Sequence, residues 1–243
     1  MLVKEYNVIQ NRIAHNKQLI QKLEETAQAI YKQWFVDFEF PDENGKAYKS
    51  NGGKMEFNEE LEKEIPKGWI YSDLGKIATI NAGGDKPKLY SENENENLNV
   101  PIYSNSTANE GLFGFTNKAT VSKKSITVSA RGAIIGYTVL RMKPFVPIVR
   151  LIVVIPKYEY QLNYIFDCIK KFKYNTSGWS AQGQLTVPEI SSFKVIIPNS
   201  EVLIKYHNIT SKFTRFIDIK KIKNHKLEEL KDLLLSKLAT IEN

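Results

Sequence analysis

The sequence has 243 residues but only one cysteine, Cys168. One cysteine cannot form an internal disulfide, and its amphipathic surroundings favour a buried structural thiol over a reactive one. There is also no run of about 18 apolar residues, as a membrane helix requires. The longest apolar segment, FVPIVRLIVVIP, contains Arg150 and is interpreted as a buried strand. Because the first residues, MLVKEYNVIQNR, lack the apolar core of a secretion signal, we expect a protein of the reducing cytoplasm.

Motifs for catalysis are missing as well. The sequence contains no Gly-x-Ser-x-Gly elbow, no Gly-x-Gly-x-x-Gly loop and no Asn/Asp-Pro-Pro-aromatic run of the kind found in DNA amino-methyltransferases. A nuclease motif beginning at Pro41-Asp42 would need an Asp-x-Lys or Glu-x-Lys, and the first such triplet is the distant Asp218-Ile219-Lys220. The histidines lie on helical segments without metal-ligand spacing; they are His15, His207 and His225. We therefore expect neither a metal site nor an enzyme.

The net charge of +7 is unevenly distributed along the chain. Residues 118–173 contain eleven Lys and Arg and two acids, whereas residues 42–64 contain seven acids and four lysines. Concentrated positive charge predicts an anionic partner, such as nucleic acid. A solvated lysine surface is the alternative explanation.

Hydrophobic periodicity is clearest near the beginning of the sequence. Apolar residues recur there at alternating steps of four and three, which is the pattern of a coiled-coil seam. The single polar member, Asn16, is of the type that fixes the register of paired helices. The seam comprises Ile9, Ile13, Asn16, Ile20, Leu23, Ala27, Ile30 and Trp34.

The last segment has a similar stripe and is predicted to begin with Asn199 or Ser200 as its N-cap. Its stripe includes Phe216, Lys220, Lys223 and Ile241 besides leucines. A shift of 207 residues superposes Ile20, Leu23, Ala27 and Tyr31 on the leucines Leu227, Leu230, Leu234 and Leu238. We expect these leucines and the first seam to form a helix-pairing or partner-docking surface. Packing of each helix on its own domain is the alternative.

Between the two helices the sequence changes to short β-rich runs separated by turns. These runs are KIATINA, NVPIYS, SITVSA, IGYTVLR, FVPIVRLIVVI, LTV and FKVIIP. One helix is predicted over residues 158–172 and an acidic helical turn over FNEELEKEI. The fold class is therefore α+β, with a globular mixed domain between two long helices.

The stretch SARGAIIGYT lies between two of the β-rich runs. It is not a phosphate-binding Walker loop, because no Gly-Lys-Ser/Thr follows. Gly132 and Gly136 are expected at a turn that needs positive φ or close backbone approach. Arg131 would then project to solvent and could contact a phosphate or a guanine edge.

Two further stretches, YSNSTANEG and NTSGWSAQGQLT, are rich in small donors and acceptors. Glutamine can form paired hydrogen bonds to adenine, although ordinary surface loops have the same composition. The residues that we predict to contact DNA are Lys86, Lys88, Asn105, Ser106, Arg131, Ser180, Gln182 and Gln184.

Four segments together resemble the specificity subunits of type I restriction-modification systems. NKQLIQKLEETAQAIYKQWFVDFEFP is similar to their central conserved helix, and IPKGWIYSDLGKIATINAGGDKP to the start of their target-recognition domains. VSARGAIIG is similar to a central element of those domains, and LEELKDLLLSKL to the distal conserved helix. The resemblance divides the chain into a spacer helix (1–40), a linker (41–64), a target-recognition domain (65–198) and a distal spacer helix (199–243).

The resemblance implies a non-catalytic DNA-binding protein. In this family, each recognition domain binds one half of a bipartite DNA target, while two antiparallel helices set the spacing and dock the modification (methyltransferase) subunits. The restriction subunit joins through them. S-adenosylmethionine, ATP and Mg²⁺ would be bound by these partners, so no cofactor is expected here.

This chain has one recognition domain where a complete subunit has two. The resemblance therefore leaves a split half-subunit, a fragment, a homodimer and a complex with a complementary half-subunit as alternatives. An oligomerisation or interaction protein without sequence-specific DNA binding is a different interpretation of the long helices. An independent nuclease or methyltransferase has no supporting motif.

Overall fold

The computed structural model describes residues 2–131, 135–172 and 184–241, with the side chains of Leu2 and of residues 238–241 left out. The chain forms two compact units. The helical unit comprises residues 1–47 and 208–243, and the β-rich unit comprises residues 48–207.

The helices are α1 (Leu2–Tyr31), α2 (Leu162–Lys171), α3 (Val187–Ser191) and α4 (Ser200–Ile241). The strands are β1 (Met55–Asn58), β2 (Lys63–Pro66), β3 (Ile70–Asp73), β4 (Ala78–Ala82), β5 (Val100–Tyr103), β6 (Leu112–Thr116), β7 (Ser125–Val128), β8 (Thr138–Arg141), β9 (Val146–Pro147), β10 (Ile152–Pro156) and β11 (Lys194–Ile197). A π-helical turn, Lys32–Val36, follows α1.

In the helical unit, α1 and α4 run antiparallel. The amide of Asn16 is buried between them, where its Nδ2 donates to Asn224 Oδ1 at 2.8 Å and its Oδ1 accepts from Lys220 Nζ at 3.2 Å. Earlier in α1, Ile9 lies in a groove with Leu234, which comes later in α4. The predicted antiparallel helix pair is therefore confirmed, with a buried polar residue at the position where register is set.

The two predicted stripes are buried to different extents. In the first seam, Ile9, Ile13 and Trp34 are buried, whereas Ile20, Leu23, Ala27 and Ile30 are partly buried. On α4, Leu227 and Leu234 are partly buried, but Leu230 is 46% exposed and Phe216 is 53% exposed. A buried amide requires hydrogen-bond partners, so the face of α4 that contacts α1 at Asn16 is the one that carries Asn224 and Lys220. Part of the predicted α4 stripe therefore faces solvent. The side chain of Leu238 lies outside the described residues.

The centre of the β-rich unit is a four-stranded antiparallel sheet in the order β4-β10-β7-β8. Its inner strand β10 is wholly apolar, and α2 packs against β7, β8 and β10. Ile126 and Val154 from the sheet and Ile165 and Ile169 from α2 are all fully buried. Burial of such side chains from both elements is the main favourable term for this core. Cys168 on α2 is buried too, as predicted.

A three-stranded sheet, β6-β5-β9, adjoins this core and is built partly from parallel strands. Ile102, Val146 and Ile148 form its buried cluster, with Val100 packed against them. Two smaller pairs complete the unit, β1 with β2 and β3 with β11.

Most of the predicted elements are present, including five of the strands and the helix α2. The expected cap of α4 is Asn199, whose Oδ1 accepts from the backbone N–H of Val202 at 3.0 Å. Over the described residues, no helix has the length and apolar character needed to cross a membrane.

Three local predictions were wrong. FNEELEKEI forms the β1–β2 hairpin instead of a helical turn, because this pairing buries Ile65 against the unit. LTV is not a strand, because Thr186 is the N-cap of α3 and forms a capping box with Glu189. The carboxylate of Glu189 accepts from the Thr186 N–H at 2.7 Å. FVPIVRLIVVI is not one strand, since a turn at Val149 and Arg150 separates β9 from β10.

Candidate nucleic-acid interface

Several polar segments of the β-rich unit leave its central sheet at the same end. Ala82, the last residue of β4, and Val128, the last residue of β7, both pair with Ile152, the first residue of β10. Val128 also pairs with Thr138, the first residue of β8. The segments 83–88, 129–131, 135–137 and 148–151 therefore adjoin the same end of the sheet, which we call the loop end.

The smaller sheet adds another loop to this end. Tyr103, the last residue of β5, pairs with Pro147 of β9 and with Leu112 of β6. Between Tyr103 and Leu112, the loop 104–111 closes on itself because the Ser104 N–H donates to the Gly111 carbonyl at 2.8 Å. Gly111 has φ +85°, and a Cβ there would lie 2.5 Å from the Ser104 oxygen, so this closure requires glycine.

Asn105 joins three segments of the loop end. Its Nδ2 donates to the carbonyl of Val149 at 2.6 Å, and its Oδ1 accepts from the N–H of Ala130 at 2.8 Å. Both ends of the amide are therefore used within the protein. We predicted Asn105 as a DNA-contacting residue, and the structure places it where it sets the relative position of neighbouring loops.

Arg131 and Gln184 form a pair beside this junction. The Nε of Arg131 donates to Gln184 Oε1 at 2.6 Å, and the Leu185 N–H donates to the Ala130 carbonyl at 2.9 Å. Arg131 remains exposed and Gln184 partly exposed. The pairing restricts the guanidinium of Arg131 while leaving it accessible, which suits recognition of a phosphate or a guanine edge.

The predicted lysines lie on the segment that follows β4. Lys86 and Lys88 are both exposed. The ammonium of Lys86 lies 4.0 Å from the centre of the Tyr90 ring and 5.5 Å from that of Phe113, and both rings are partly exposed. This patch combines a cation with apolar ring surface, which is a common composition of nucleic-acid contacts.

Three predicted contact residues remain, namely Ser106, Ser180 and Gln182. Ser106 is exposed, and its Oγ accepts from the N–H of Ala108 at 3.2 Å, as in a tight polar turn. Ser180 and Gln182 lie outside the described residues. The structure thus brings Asn105, Arg131 and Gln184 into one connected cluster.

A buried arginine supports the loop 104–111 from below. The guanidinium of Arg141 stacks 3.5 Å from the centre of the Tyr103 ring, and its Nη2 donates to the carbonyl of Glu110 at 2.5 Å. Its Nε donates to Thr127 Oγ1 at 3.0 Å. Burial lowers the pKa of Arg141, and the nearby charge of Glu110 partly opposes this change. The side chain holds Glu110 at φ +55°, a conformation that non-glycine residues rarely adopt.

One exposed cation at this end, Arg150, was not among the predicted contact residues. It was assigned to a buried strand, but the structure places it with Val149 in a turn where both have positive φ. Pro147 and the charge of Arg150, within an otherwise apolar run, were the available signals. Over the part of the chain that the structure describes, the exposed cations of the loop end include Lys86, Lys88, Arg131 and Arg150.

These features define a candidate binding surface for an anionic ligand. Cationic and amide side chains converge at the loop end, whereas over residues 2–131, 135–172 and 184–241 no three His, Cys, Asp or Glu residues are grouped as metal ligands. The model of the type I restriction modification DNA specificity domain matches residues 66–232. This match covers more than half of the chain, which therefore belongs to that family.

Similar proteins include type I specificity subunits. One from Mycoplasma pneumoniae is 37% identical over 130 residues, covering 53% of this chain and 38% of that protein. The MjaIX specificity subunit of Methanocaldococcus jannaschii is 28% identical over 247 residues, covering 93% of this chain and 54% of that protein. The chain thus spans about half of the M. jannaschii subunit, and its match covers less than half of the M. pneumoniae subunit.

A solved structure has the same fold. The crystal structure of a type I restriction-modification S subunit from M. genitalium matches with a TM-score of 0.70 at 18% identity. The match covers 98% of this chain and 59% of that one.

Proposed function

We propose that this chain supplies DNA sequence specificity to a type I restriction-modification complex, by binding one half of a bipartite target in duplex DNA. The observation that carries the proposal is the connected cluster of Asn105, Arg131 and Gln184 at the loop end, in a chain of the specificity-domain family. Arginine and glutamine are the side chains best suited to paired hydrogen bonds with guanine and adenine. The exposed lysines nearby would contact phosphates and add affinity that depends on salt.

Methylation would be performed by partner subunits that bind S-adenosylmethionine. The chain should therefore be co-expressed with methyltransferase subunits of such a system, and methylated adenines in the host DNA mapped by sequencing. The expected result is methylation at one consensus sequence. Methylation without any consensus, from a complex that assembles, would contradict the proposal.

The helical unit would dock these partners. Besides the face of α4 that contacts Asn16, α4 exposes Ile219, Ile222, Leu230 and Leu233. Ile222, Leu230 and Leu233 follow Ile219 by 3, 11 and 14 residues, and at this spacing all four side chains lie on one side of the helix. An exposed apolar row on a paired helix is typical of a protein-binding surface.

Replacement of Leu233 by lysine tests this docking. Leu233 is 61% exposed, so Leu233→Lys should leave the chain folded but weaken its capture by methyltransferase subunits by about tenfold or more. The control is Asp232→Lys, which introduces the same side chain at the neighbouring exposed position. Equal capture of both variants would contradict docking through this row.

The same row also supports a second candidate function, an interaction protein that oligomerises without recognising DNA. Light scattering would give the mass of the isolated chain and distinguish a monomer from a homodimer. Binding of the assembled complex to duplexes of different sequence separates the two functions, because a pure interaction protein would bind all of them equally or none.

A further inference from the structure

The turn between β9 and β10 has an unusual backbone. Val149 has φ +53° and Arg150 has φ +58°, so two consecutive non-glycine residues occupy the left-handed region. This conformation is costly for any L-residue and particularly for β-branched valine, and such strain persists only where surrounding contacts enforce it.

Hydrogen bonds hold the turn on both sides. The N–H groups of Val149 and Arg150 donate to the carbonyls of Gly84 and Gly83, at 2.9 and 3.1 Å. The carbonyl of Val149 accepts from Asn105 Nδ2 at 2.6 Å. Gly83 packs so closely that a Cβ there would lie 2.7 Å from the Pro147 carbonyl carbon. The positions from which the two side chains project are therefore fixed.

Folding does not account for the identity of these two side chains. Their neighbours Ile148 and Leu151 are 1% and 2% exposed, but Val149 is 52% exposed and Arg150 is exposed as well. Glycine or asparagine would adopt this backbone with less strain and keep every main-chain hydrogen bond. An exposed valine and an exposed arginine at strained positions are thus better explained by a ligand than by stability.

The turn is coupled to the Arg131 segment by Asn105. That amide holds the N–H of Ala130 and the carbonyl of Val149, and each of these residues is followed by an exposed arginine. Arg131 and Arg150 are therefore presented from two segments that share one anchor. Two positioned guanidinium groups at a loop end fit an extended anionic ligand with hydrogen-bond acceptors, as the major groove of DNA presents.

We propose that Arg150 and Val149 are specificity-determining residues that contact base edges in the major groove. Arg150 donates to O6 and N7 of a guanine, and the Val149 methyl groups contact the C5-methyl of an adjacent thymine. Rigid placement favours base contacts over phosphate contacts, because paired hydrogen bonds require defined geometry whereas phosphates are bound well by flexible lysines. This inference rests on the proposed function.

The test compares variants of the chain within its methyltransferase complex. The wild-type consensus is first established by sequencing of methylated DNA. Binding of the complex to duplexes that differ by single base pairs is then measured by fluorescence anisotropy. For Arg150→Ala we expect discrimination at one guanine of the consensus to fall roughly 10- to 100-fold, with the other positions unchanged. Val149→Gly, which relieves strain, should fold normally and lose discrimination at the adjacent thymine.

Lys143→Ala is the matched control. Lys143 is exposed and follows β8, so it lies at the opposite end of the sheet from the loop end. Its loss should leave the consensus unchanged. An Arg150→Ala complex that is uniformly weaker on all duplexes and less sensitive to salt would show a phosphate contact and overturn the inference.

Failure of the inference and failure of the proposed function are distinguishable. A wild-type consensus that both Arg150→Ala and Val149→Gly leave intact would overturn the inference alone. A wild-type complex without any consensus would overturn both.

Discussion

The carboxyl group of Asp167 should make the stability of this protein depend on pH. Asp167 lies on α2 within the core of the β-rich unit, where Tyr206 in the first turns of α4 donates its hydroxyl to Asp167 Oδ2 at 2.7 Å. Burial raises the pKa of Asp167 from 3.8 to about 6, against the opposing effects of the Tyr206 hydrogen bond and of the charges of Lys170 and Lys171.

The direction of this pH dependence follows from which state, folded or unfolded, binds the proton more tightly. Because the folded state holds the proton of Asp167 more tightly than the unfolded state, this group favours folding at low pH. Its contribution is lost as pH rises from about 4 to about 6. At about 1.36 kcal/mol per pH unit, the separation of the two pKa values corresponds to roughly 3 kcal/mol.

Asp167→Asn removes this titration while keeping the shape and an acceptor for Tyr206. We expect the variant to be more stable than the wild type by about 2–3 kcal/mol at pH 7.5, because no charge is buried, and nearly equal to it at pH 4. Urea denaturation of both proteins between pH 4 and 8 measures the difference, in which the titration of all other groups cancels.

Two outcomes would refute this reasoning. One is a free-energy difference that stays constant between pH 4 and 8, and the other is a variant less stable than the wild type at pH 7.5. Tyr206→Phe is the companion variant. It removes a hydrogen bond to the charged form, so it should destabilise the protein by about 1–3 kcal/mol at pH 7.5 and less at pH 4.

Two further predictions concern the loop end. Asn105→Asp keeps the acceptor for Ala130 but directs a carboxylate oxygen at the Val149 carbonyl. Urea denaturation should therefore show a free energy of unfolding lower by about 2 kcal/mol. Unchanged stability would mean that this junction is not formed in solution. Arg141→Met removes the hydrogen bonds to Glu110 and Thr127. Amide exchange at the Ser104–Gly111 closure should therefore accelerate by about tenfold or more while the strand β7 stays protected. Unaltered exchange would contradict the support of this loop by Arg141.

The long helices were predictable because their signal is local and repeated. A step of four and three residues, kept from Ile9 to Trp34, predicts a helix with one apolar side whatever surrounds it. The face of α4 that would be buried was less predictable, since Asn16 selects Asn224 and Lys220 as its partners. That choice depends on the alignment of two segments more than 200 residues apart in sequence.

For the candidate site, the sequence indicated some of the residues but not how they are arranged in space. Arginine and glutamine between turn-forming residues indicated Arg131 and Gln184, but their hydrogen bond joins positions 53 residues apart. Arg150 was hidden because its apolar neighbours have the composition of a strand. Only the packing of Gly83 against Pro147 and the anchor at Asn105 force the chain to turn there.

The sequence by itself therefore determined the α+β class, the two long helices, the seam of the first helix, most strands of the core and the family resemblance. All of these depend on periodicity or on short segments whose preferences add up locally. The tertiary structure alone decided which loops share an edge, that Asn105 joins them, and that Val149 and Arg150 project outward. Those features arise from strand register and from close backbone contacts between distant segments, which no local pattern encodes.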